Sequence, residues 1–595
     1  MTRFTLYIVP FLFILPLPWS FSSANGLFYS ELFYAYTATA LSALLIHQTV
    51  LYRNKENGSF SPLDKALLLF ILYITGHLIF HGDEPAGSME FLKGGVLLLA
   101  YLWTRKMPDK RGVLYAILLS GIVEAITAIL QSTGWAESEN AYFNVTGHLS
   151  NPGPLGGYLS ICLVIALSFL KESFHIKKRG LTGLLVKGIG ILIVGVLATG
   201  CWLSDSRAAF LSVLTGSLFL FPVSRRFSAL LKKRNLVIAT LSGILLIGTL
   251  LYFYRPQSAH ARLLIWRVSS GMVAEHPLTG IGIGEFPRTY MLHQAAHFET
   301  ERSDQETLVA GDAAYTYNEL LHLTVETGII GLLLILCIVI IISRGTPHNP
   351  INRTIQSSLM AWGVFSCFSY PTAIPPLYLL FPFLLGCLQY NSITSYSDKI
   401  VSYFNKKHSY ILYLLMLLGI GMAGIREGMF YKQASEKMIS IFSQNKAPAL
   451  EYARTHYSRL KSNTTFNLTY SQWMLRHATD TLNQNIIEEM LPTPESYILL
   501  GNYYAKTKQY EKAEHTYKTA ARMVPTRLMP NYKLWRLYEE RGDSMEALLM
   551  AKTILSQPVK VTNSFTINAK REAEEFIFLR ENLSPPKSFQ DSRIE

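Results

Sequence analysis

The stretch "CWLSDSRAAFL", residues 201–211, places an arginine between two apolar runs. Residues 184–203 before it and 208–223 after it each approach the length needed to span roughly 30 Å of hydrocarbon, so Arg207 sits in a connection of almost no length. Two membrane helices with a charged turn between them are the unit from which the rest of the chain is read.

Working outward, half of the 595 residues are apolar, 16% are charged, and the apolar ones fall into long separate runs. These lie at 4–21, 28–51, 66–80, 91–104, 112–131, 154–170, 184–203, 208–223, 236–254, 318–342, 354–370, 374–390 and 409–425. The fold class expected is all-α, a polytopic membrane bundle of about 12–13 helices. The first run also has the pattern of a signal peptide.

Lysine and arginine orient the bundle, because short positively charged loops stay cytoplasmic. With the N-terminus inside, the inner loops carry Arg53, Lys55, Lys65, Arg105, Lys106, Lys110, Arg111, Lys177, Lys178, Arg179, Arg225 and Arg226. The short outer loops 22–27, 81–90, 134–153 and 371–373 have neither residue. That alternation accounts for most of the net charge of +13, so nucleic acid is not expected as a partner. Cys162, Cys201, Cys337, Cys367 and Cys387 all lie in apolar runs and lack metal-ligand spacing; neither a disulfide nor a metal site is expected.

Hydropathy falls after residue 425, dividing a membrane domain, 1–425, from a C-terminal helical domain, 426–595, expected on the outer side. Within the latter, "PESYILLGNYYAKTKQYEKAEHTYKTAARMVP" (494–525) has Tyr497, Leu500, Gly501, Tyr504, Ala513, Tyr517, Ala520 and Pro525 at the spacing of a tetratricopeptide repeat. A weaker copy follows at Leu534, Tyr538, Ala547 and Ala551. Such a domain commonly holds a peptide or protein; a rigid spacer is the competing reading.

Several polar residues sit where membrane helices rarely keep them. Ser120, Glu124, Thr127 and Gln131 form one stripe on helix 112–131, and a charge at mid-span requires a partner or a wet cavity. Lys93 is the ion partner considered for Glu124. In the large outer loop, about 255–317, Leu264, Val268 and Met272 make an apolar stripe on a short helix stopped by Pro277; it is expected to lie on the membrane surface and carries Arg262 and Arg267. "GIGIGEF" lacks the strand and crossover helix of a phosphate loop and reads as a turn.

Four segments in this order, "VTGHLSNPGPLGGYL" (145–159), "SDSRAAFLSV" (204–213), "RLLIWRVSSGMVAEHPLTGIGIGEF" (262–286) and "YNELLHLTVETGIIGLL" (317–333), resemble the O-antigen ligase and polymerase superfamily over roughly residues 90–390. The resemblance implies a glycosyltransferase in the bacterial inner membrane that uses an undecaprenyl-diphosphate-linked glycan donor at the periplasmic face, without cofactor or metal. It implies lipid A core as acceptor, with protein O-glycosylation or glycan polymerisation as alternatives. Transporter, flippase and membrane-anchored scaffold are the readings from other classes. Arg207, Arg262 and Arg267 are carried over as ligands of the carrier diphosphate, which suits bidentate guanidinium groups. Lys93, Glu124, Gln131, Asn151 and Asn318 are candidate cavity-lining residues, Asn151 also as the cap of its helix. The family commonly has a histidine before the asparagine of the last segment; this chain has Tyr317 before Asn318. The general base is therefore sought among His322, Glu319 and Tyr317, with His322 favoured.

Overall fold

The computed structural model describes residues 28–51, 61–81, 86–138, 140–149, 151–175, 181–221, 256–301, 303–344, 349–390, 406–439, 447–461 and 491–581, together with 463, 466, 469 and 470. The apolar runs 4–21 and 236–254 lie outside them. Every element among these residues is helical.

In chain order the helices are α1 (Tyr29–Leu51), α2 (Pro62–His81), α3 (Ala86–Lys106), α4 (Lys110–Ser132), α5 (Pro152–His175), α6 (Leu181–Leu203) and α7 (Arg207–Leu220). Next come α8 (Pro256–Glu275), α9 (Phe286–Thr300), α10 (Asp304–Val309), α11 (Glu319–Ser343), α12 (Pro350–Ser366), α13 (Pro375–Cys387), α14 (Lys406–Ile439) and α15 (Ala447–Thr455). The C-terminal helices are α16 (Pro494–Lys506), α17 (Tyr510–Met523), α18 (Leu528–Arg541), α19 (Ser544–Ser556) and α20 (Ser564–Glu581). Among the described residues, six stretches are long and apolar enough to cross a membrane: Pro62–Phe80, Lys110–Ser132, Pro152–His175, Leu181–Leu203, Glu319–Ser343 and Ile411–Met438, with α7 and α13 as shorter apolar helices. The chain is a multi-pass membrane protein. Its apolar helix α14 does not stop near 425 but runs on to Ile439.

The chain forms two compact units: the first holds 1–251, 276–284 and 316–456, the second 252–275, 285–315 and 457–595. In the first, α1 packs along α14, where a Cβ at Gly424 would press on Thr39 and Ala35, so small residues let the two backbones approach. Helix α5 is buried along most of its length between α4, α6, α7 and α12. Part of the buried polar face of α12 is matched by hydrogen bonds: Ser168 to Thr354 at 2.6 Å, and Asn352 to the Gln389 backbone at 2.6 and 2.9 Å.

Helix α11 is broken at Gly328, where φ is +67°. Segment 276–284 fits the break. Ile281 and Gly282 donate their amides to the carbonyls of Val325 and Glu326 at 2.9 and 3.1 Å, while Ile329 donates to Pro277 O at 2.9 Å. From α2, Tyr73 donates its hydroxyl to Thr327 O at 2.6 Å and His77 lies 2.7 Å from Thr279 O. The glycine run is thus a docked clasp as well as a turn. Gly280 and Gly328 both have positive φ, and a Cβ on either would run into the other segment's backbone.

In the second unit, Leu264, Val268 and Met272 of α8 are buried, and α8 packs on α9 and α10. The stripe expected to lie on lipid is therefore covered by protein, because the loop supplies its own apolar partners. Helix α9 in turn packs on α17. Its fully buried Gln294 donates to the carbonyls of Gly311 and Met523, Arg522 pairs with Glu299 at 2.9 Å, and Arg527 with Asp312 at 2.6 Å. Helices α16 to α20 pack as successive neighbours around Tyr504, Tyr517, Trp535 and Tyr538, with the Gly501 backbone against the Tyr517 ring.

Substituting Gly328→Ala imposes both a left-handed backbone on an L residue and a collision with Leu278, at a cost of about 2 kcal/mol or more. It should lower the thermal unfolding temperature of the detergent-solubilised protein by several degrees. Gly195→Ala, on α6 with open space around it, should leave that temperature unchanged or slightly raised.

Candidate functional site

Asn318 caps α11, its side chain accepting from the amides of Leu320 and Leu321 at 3.1 and 3.2 Å. The cap follows a sharp turn: Tyr317 has φ +54°, and its ring stands edge-on to Tyr370 at 5.3 Å. Glu319, in the first turn, accepts from the Thr372 amide at 2.9 Å and from its hydroxyl at 2.7 Å, which ties α11 to the turn between α12 and α13. One turn on, His322 Nε2 lies 3.5 Å from Glu326 Oε1. Glu326 is buried at the clasp, where its carbonyl takes the Gly282 amide.

Helix α3 adds Glu90 and Lys93. Lys93 Nζ is 2.5 Å from Glu90 Oε1 and stands over the Tyr34 ring at 5.8 Å, while Glu90 is within electrostatic reach of His322 and Tyr378. Lys93 therefore pairs along its own helix, at the separation of one turn, and not with Glu124 as the sequence suggested. The head of α11 gathers His322, Glu319, Glu326, Glu90 and Lys93 into one polar cluster.

Glu124 belongs to a second cluster. Its side chain is fully buried; Oε1 is 2.9 Å from His148 Nδ1 and Oε2 takes the His148 amide at 3.0 Å. Seven residues on, Gln131 accepts from the amides of Thr146 and Gly147 at 2.9 and 2.8 Å and donates to Gly147 O at 3.1 Å. Ser120 bonds Tyr158 on α5, whereas Thr127 bonds its own helix at Val123 O. Three of the four stripe residues thus bind the α4–α5 connection and α5. Asn151 caps α5, accepting from Gly153 N at 2.9 Å.

Arg207 is the first residue of α7, after Ser206 at the cap position and Asp205 at φ +49°. A Cβ on Gly156, in the first turn of α5, would meet Ser204 and Ser206, and one on Gly147 would meet Leu155. The first turn of α5 is thus sandwiched between the His148 loop and the Arg207 turn. Phe365, at the tail of α12, packs on Gly157, and Thr372 follows shortly after. Both polar clusters and Arg207 therefore occupy the same end of the first unit. Arg262 and Arg267 lie on α8 in the second unit. There Arg267, 62% exposed, pairs with Glu306 at 2.8 Å, a carboxylate that also meets His297 at 2.9 Å.

Residues 192–336 match the family model described as O-Antigen ligase. No curated protein matches the chain. The matched stretch contains Arg207, Arg262, Arg267, Tyr317, Asn318, Glu319, His322 and Glu326. It supports the O-antigen ligase superfamily and a membrane function of ligase or polymerase type, which suggests a glycosyltransferase-like enzyme and implies a polyisoprenyl-linked glycan donor and an acceptor.

Among these groups Glu326 was legible, four residues after His322 on the same face. Thr372 and the Glu90–His322 approach join segments remote in sequence and carry no local signal. His148 lies in a quoted segment, but nothing in its spacing announces Glu124.

The pairing changes what stability measurements should show. Lys93→Met and Glu124→Gln should be additive in thermal unfolding of the purified protein, within about 0.5 kcal/mol. Lys93→Met and Glu90→Gln should couple by more than that, since the two side chains bond each other.

Proposed function

We propose that the chain is a membrane glycosyltransferase that transfers a glycan from undecaprenyl diphosphate to a hydroxyl of lipid A core at the periplasmic face of the bacterial inner membrane. The observation that carries this reading is the family match over residues 192–336, which contains the short-turn arginine and the polar head of α11 together.

In the reaction, the bond between the anomeric carbon and the diphosphate oxygen breaks, and its electron pair stays on the diphosphate. The acceptor oxygen forms the new glycosidic bond and gives up its proton. Arg207 binds the diphosphate, where a fixed guanidinium stabilises charge that grows as the bond breaks. Arg262 and Arg267 are proposed as further diphosphate ligands on the family resemblance alone, Arg267 being paired with Glu306. His322 takes the acceptor proton, with Glu326 orienting the imidazole. Glu319 is a positioning residue, held by Thr372, and Tyr317 shapes the turn before Asn318. The helical hairpins from α16 onward fit tetratricopeptide repeats, and their packing against α9 favours holding the outer loop in place over capture of a separate protein.

The test is a deletion strain examined for surface lipopolysaccharide and glycoproteins together. Loss of long-chain lipopolysaccharide with intact glycoproteins supports the ligase; the converse moves the acceptor to protein, and loss of neither overturns the reading. With purified protein, Arg207→Ala and Arg207→Lys should both cut transfer strongly, the lysine having charge without the fork. His322→Ala should cost at least about tenfold, with Tyr317→Phe close to the unaltered protein. A silent His322→Ala beside a crippling Tyr317→Phe would assign the proton to the tyrosine instead.

A further inference from the structure

Helices α4 and α6 pack against each other. A Cβ on Gly121 would meet Leu197 and one on Gly200 would meet Ala125, so the two helices run in the same direction with Gly200 level with Ala125. Beyond that level α4 continues to Ser132, whereas α6 ends at Leu203. At about 1.5 Å per residue, α4 overtops α6 by roughly 6 Å.

Each of these two ends carries an exposed tryptophan. Trp135, just past α4, is 86% exposed, and Trp202, on the last turn of α6, is 71% exposed. Both follow apolar flanks that the protein leaves uncovered: Tyr115, Leu119, Ile126 and Leu130 along α4, and Leu184, Leu185, Ile189 and Leu192 along α6. The two helices are long and apolar enough to cross a membrane, so the cover of these flanks is lipid. Tryptophan at the end of such a flank gathers in the head-group layer, where the ring is shielded and the indole N–H reaches polar partners.

Helix length says where in that layer. Leu181 follows the basic run Lys177, Lys178 and Arg179. From Leu181 to Trp202 is about 31 Å of helix, one hydrocarbon thickness. The end of α4 stands a further 7 to 8 Å out, roughly the depth of one head-group layer. The turn that bears Arg207 stays at the lower level: Asp205 donates its amide to Trp202 O at 3.0 Å, and the rings of Trp202 and Phe210 meet edge-on at 5.7 Å across it.

We infer that this surface is fitted to the phospholipid leaflet at two depths, with Trp202 on the acyl side of the head-group layer and Trp135 on its water side. The turn from Ser204 to Arg207 then lies recessed below the end of α4, at the depth where a bilayer keeps its phosphates. A diphosphate carrier would be met there without being lifted from the leaflet. That last consequence rests on the donor reading above; the two depths do not.

The experiment uses the full chain labelled with fluorotryptophan in phospholipid nanodiscs. Fluorine NMR signals are assigned by their loss in Trp135→Phe and Trp202→Phe, both conservative changes at exposed positions. Three paramagnetic agents are then compared: a water-soluble gadolinium chelate, a nitroxide on the lipid head group and a nitroxide at the end of the acyl chain. Both signals should be lost with the head-group nitroxide and kept with the chain-end one, and the chelate should broaden Trp135 more than Trp202. Broadening of either signal by the chelate with none from the head-group nitroxide would overturn the inference, leaving that indole in water and open to a glycan or a protein. Loss of either with the chain-end nitroxide would overturn the assigned depth, and a stronger effect of the chelate on Trp202 than on Trp135 would overturn the recess. If the depths hold while Arg207→Ala transfers glycan normally, the donor reading falls and the lipid contact stands.

Discussion

A membrane helix broken at Gly328 would leave the carbonyls of Val325, Glu326 and Thr327 without partners, and hydrocarbon offers no water to supply them. Segment 276–284 and Tyr73 supply them instead, and the amide of Ile329 finds Pro277 in return. This exchange makes the break tolerable. It also determines what lies above it: Glu326 is held by its own carbonyl at the clasp, and His322 sits one turn closer to the cap at Asn318. A helix without the break would continue its register unchanged, and the clasp would have no backbone to dock on.

The two polar clusters use one device. In each, a carboxylate on a helix accepts the backbone amide of a residue outside that helix: Glu319 takes Thr372 N, and Glu124 takes His148 N. A carboxylate bonded in this way has its desolvation partly offset, and the loop is fixed by a group that cannot be replaced by an apolar one of equal shape. Each then keeps a second polar contact, with the Thr372 hydroxyl in one case and the His148 imidazole in the other. Rigid placement of loop residues by buried acids is what a site for a charged, membrane-borne donor needs.

The all-helical class and the multi-pass character were legible because apolar run length is a local property of the chain. The cap Asn151 was legible for the same reason, since it precedes its helix in sequence, whereas Asn318 was read as lining a cavity and proved to cap α11. The partners of buried charges were not. Glu124 was read as needing a partner, and Lys93 was considered because it lies near the outer end of its own helix, while the partner in the structure comes from the loop after the helix of Glu124. The clasp was missed for a related reason: glycines 280, 282 and 284 signal unusual backbone, but which backbone they approach is decided by tertiary packing. The stripe on α8 shows the limit of periodicity, which identifies a buried face without saying whether lipid or protein covers it.

The broken helix also bears on the competing transporter reading. Transporters place unwound segments so that their free carbonyls and amides face the substrate or ion. In α11 the carbonyls at the break are taken by the amides of Ile281 and Gly282 and by the Tyr73 hydroxyl, and His77 approaches the Thr279 carbonyl of the docked segment. The backbone that a transported ion would use is thus occupied by the chain itself. The carboxylates of the candidate site, Glu90, Glu124, Glu319 and Glu326, lie instead toward the end of the unit where α3, α5, α7 and α11 begin, while other polar groups such as Ser168, Thr354 and the Asp64–Arg105 pair are bonded to the chain itself. That arrangement favours a reaction at one membrane face over passage through the bundle. It also argues against a mere anchor, which has no use for buried carboxylates at all.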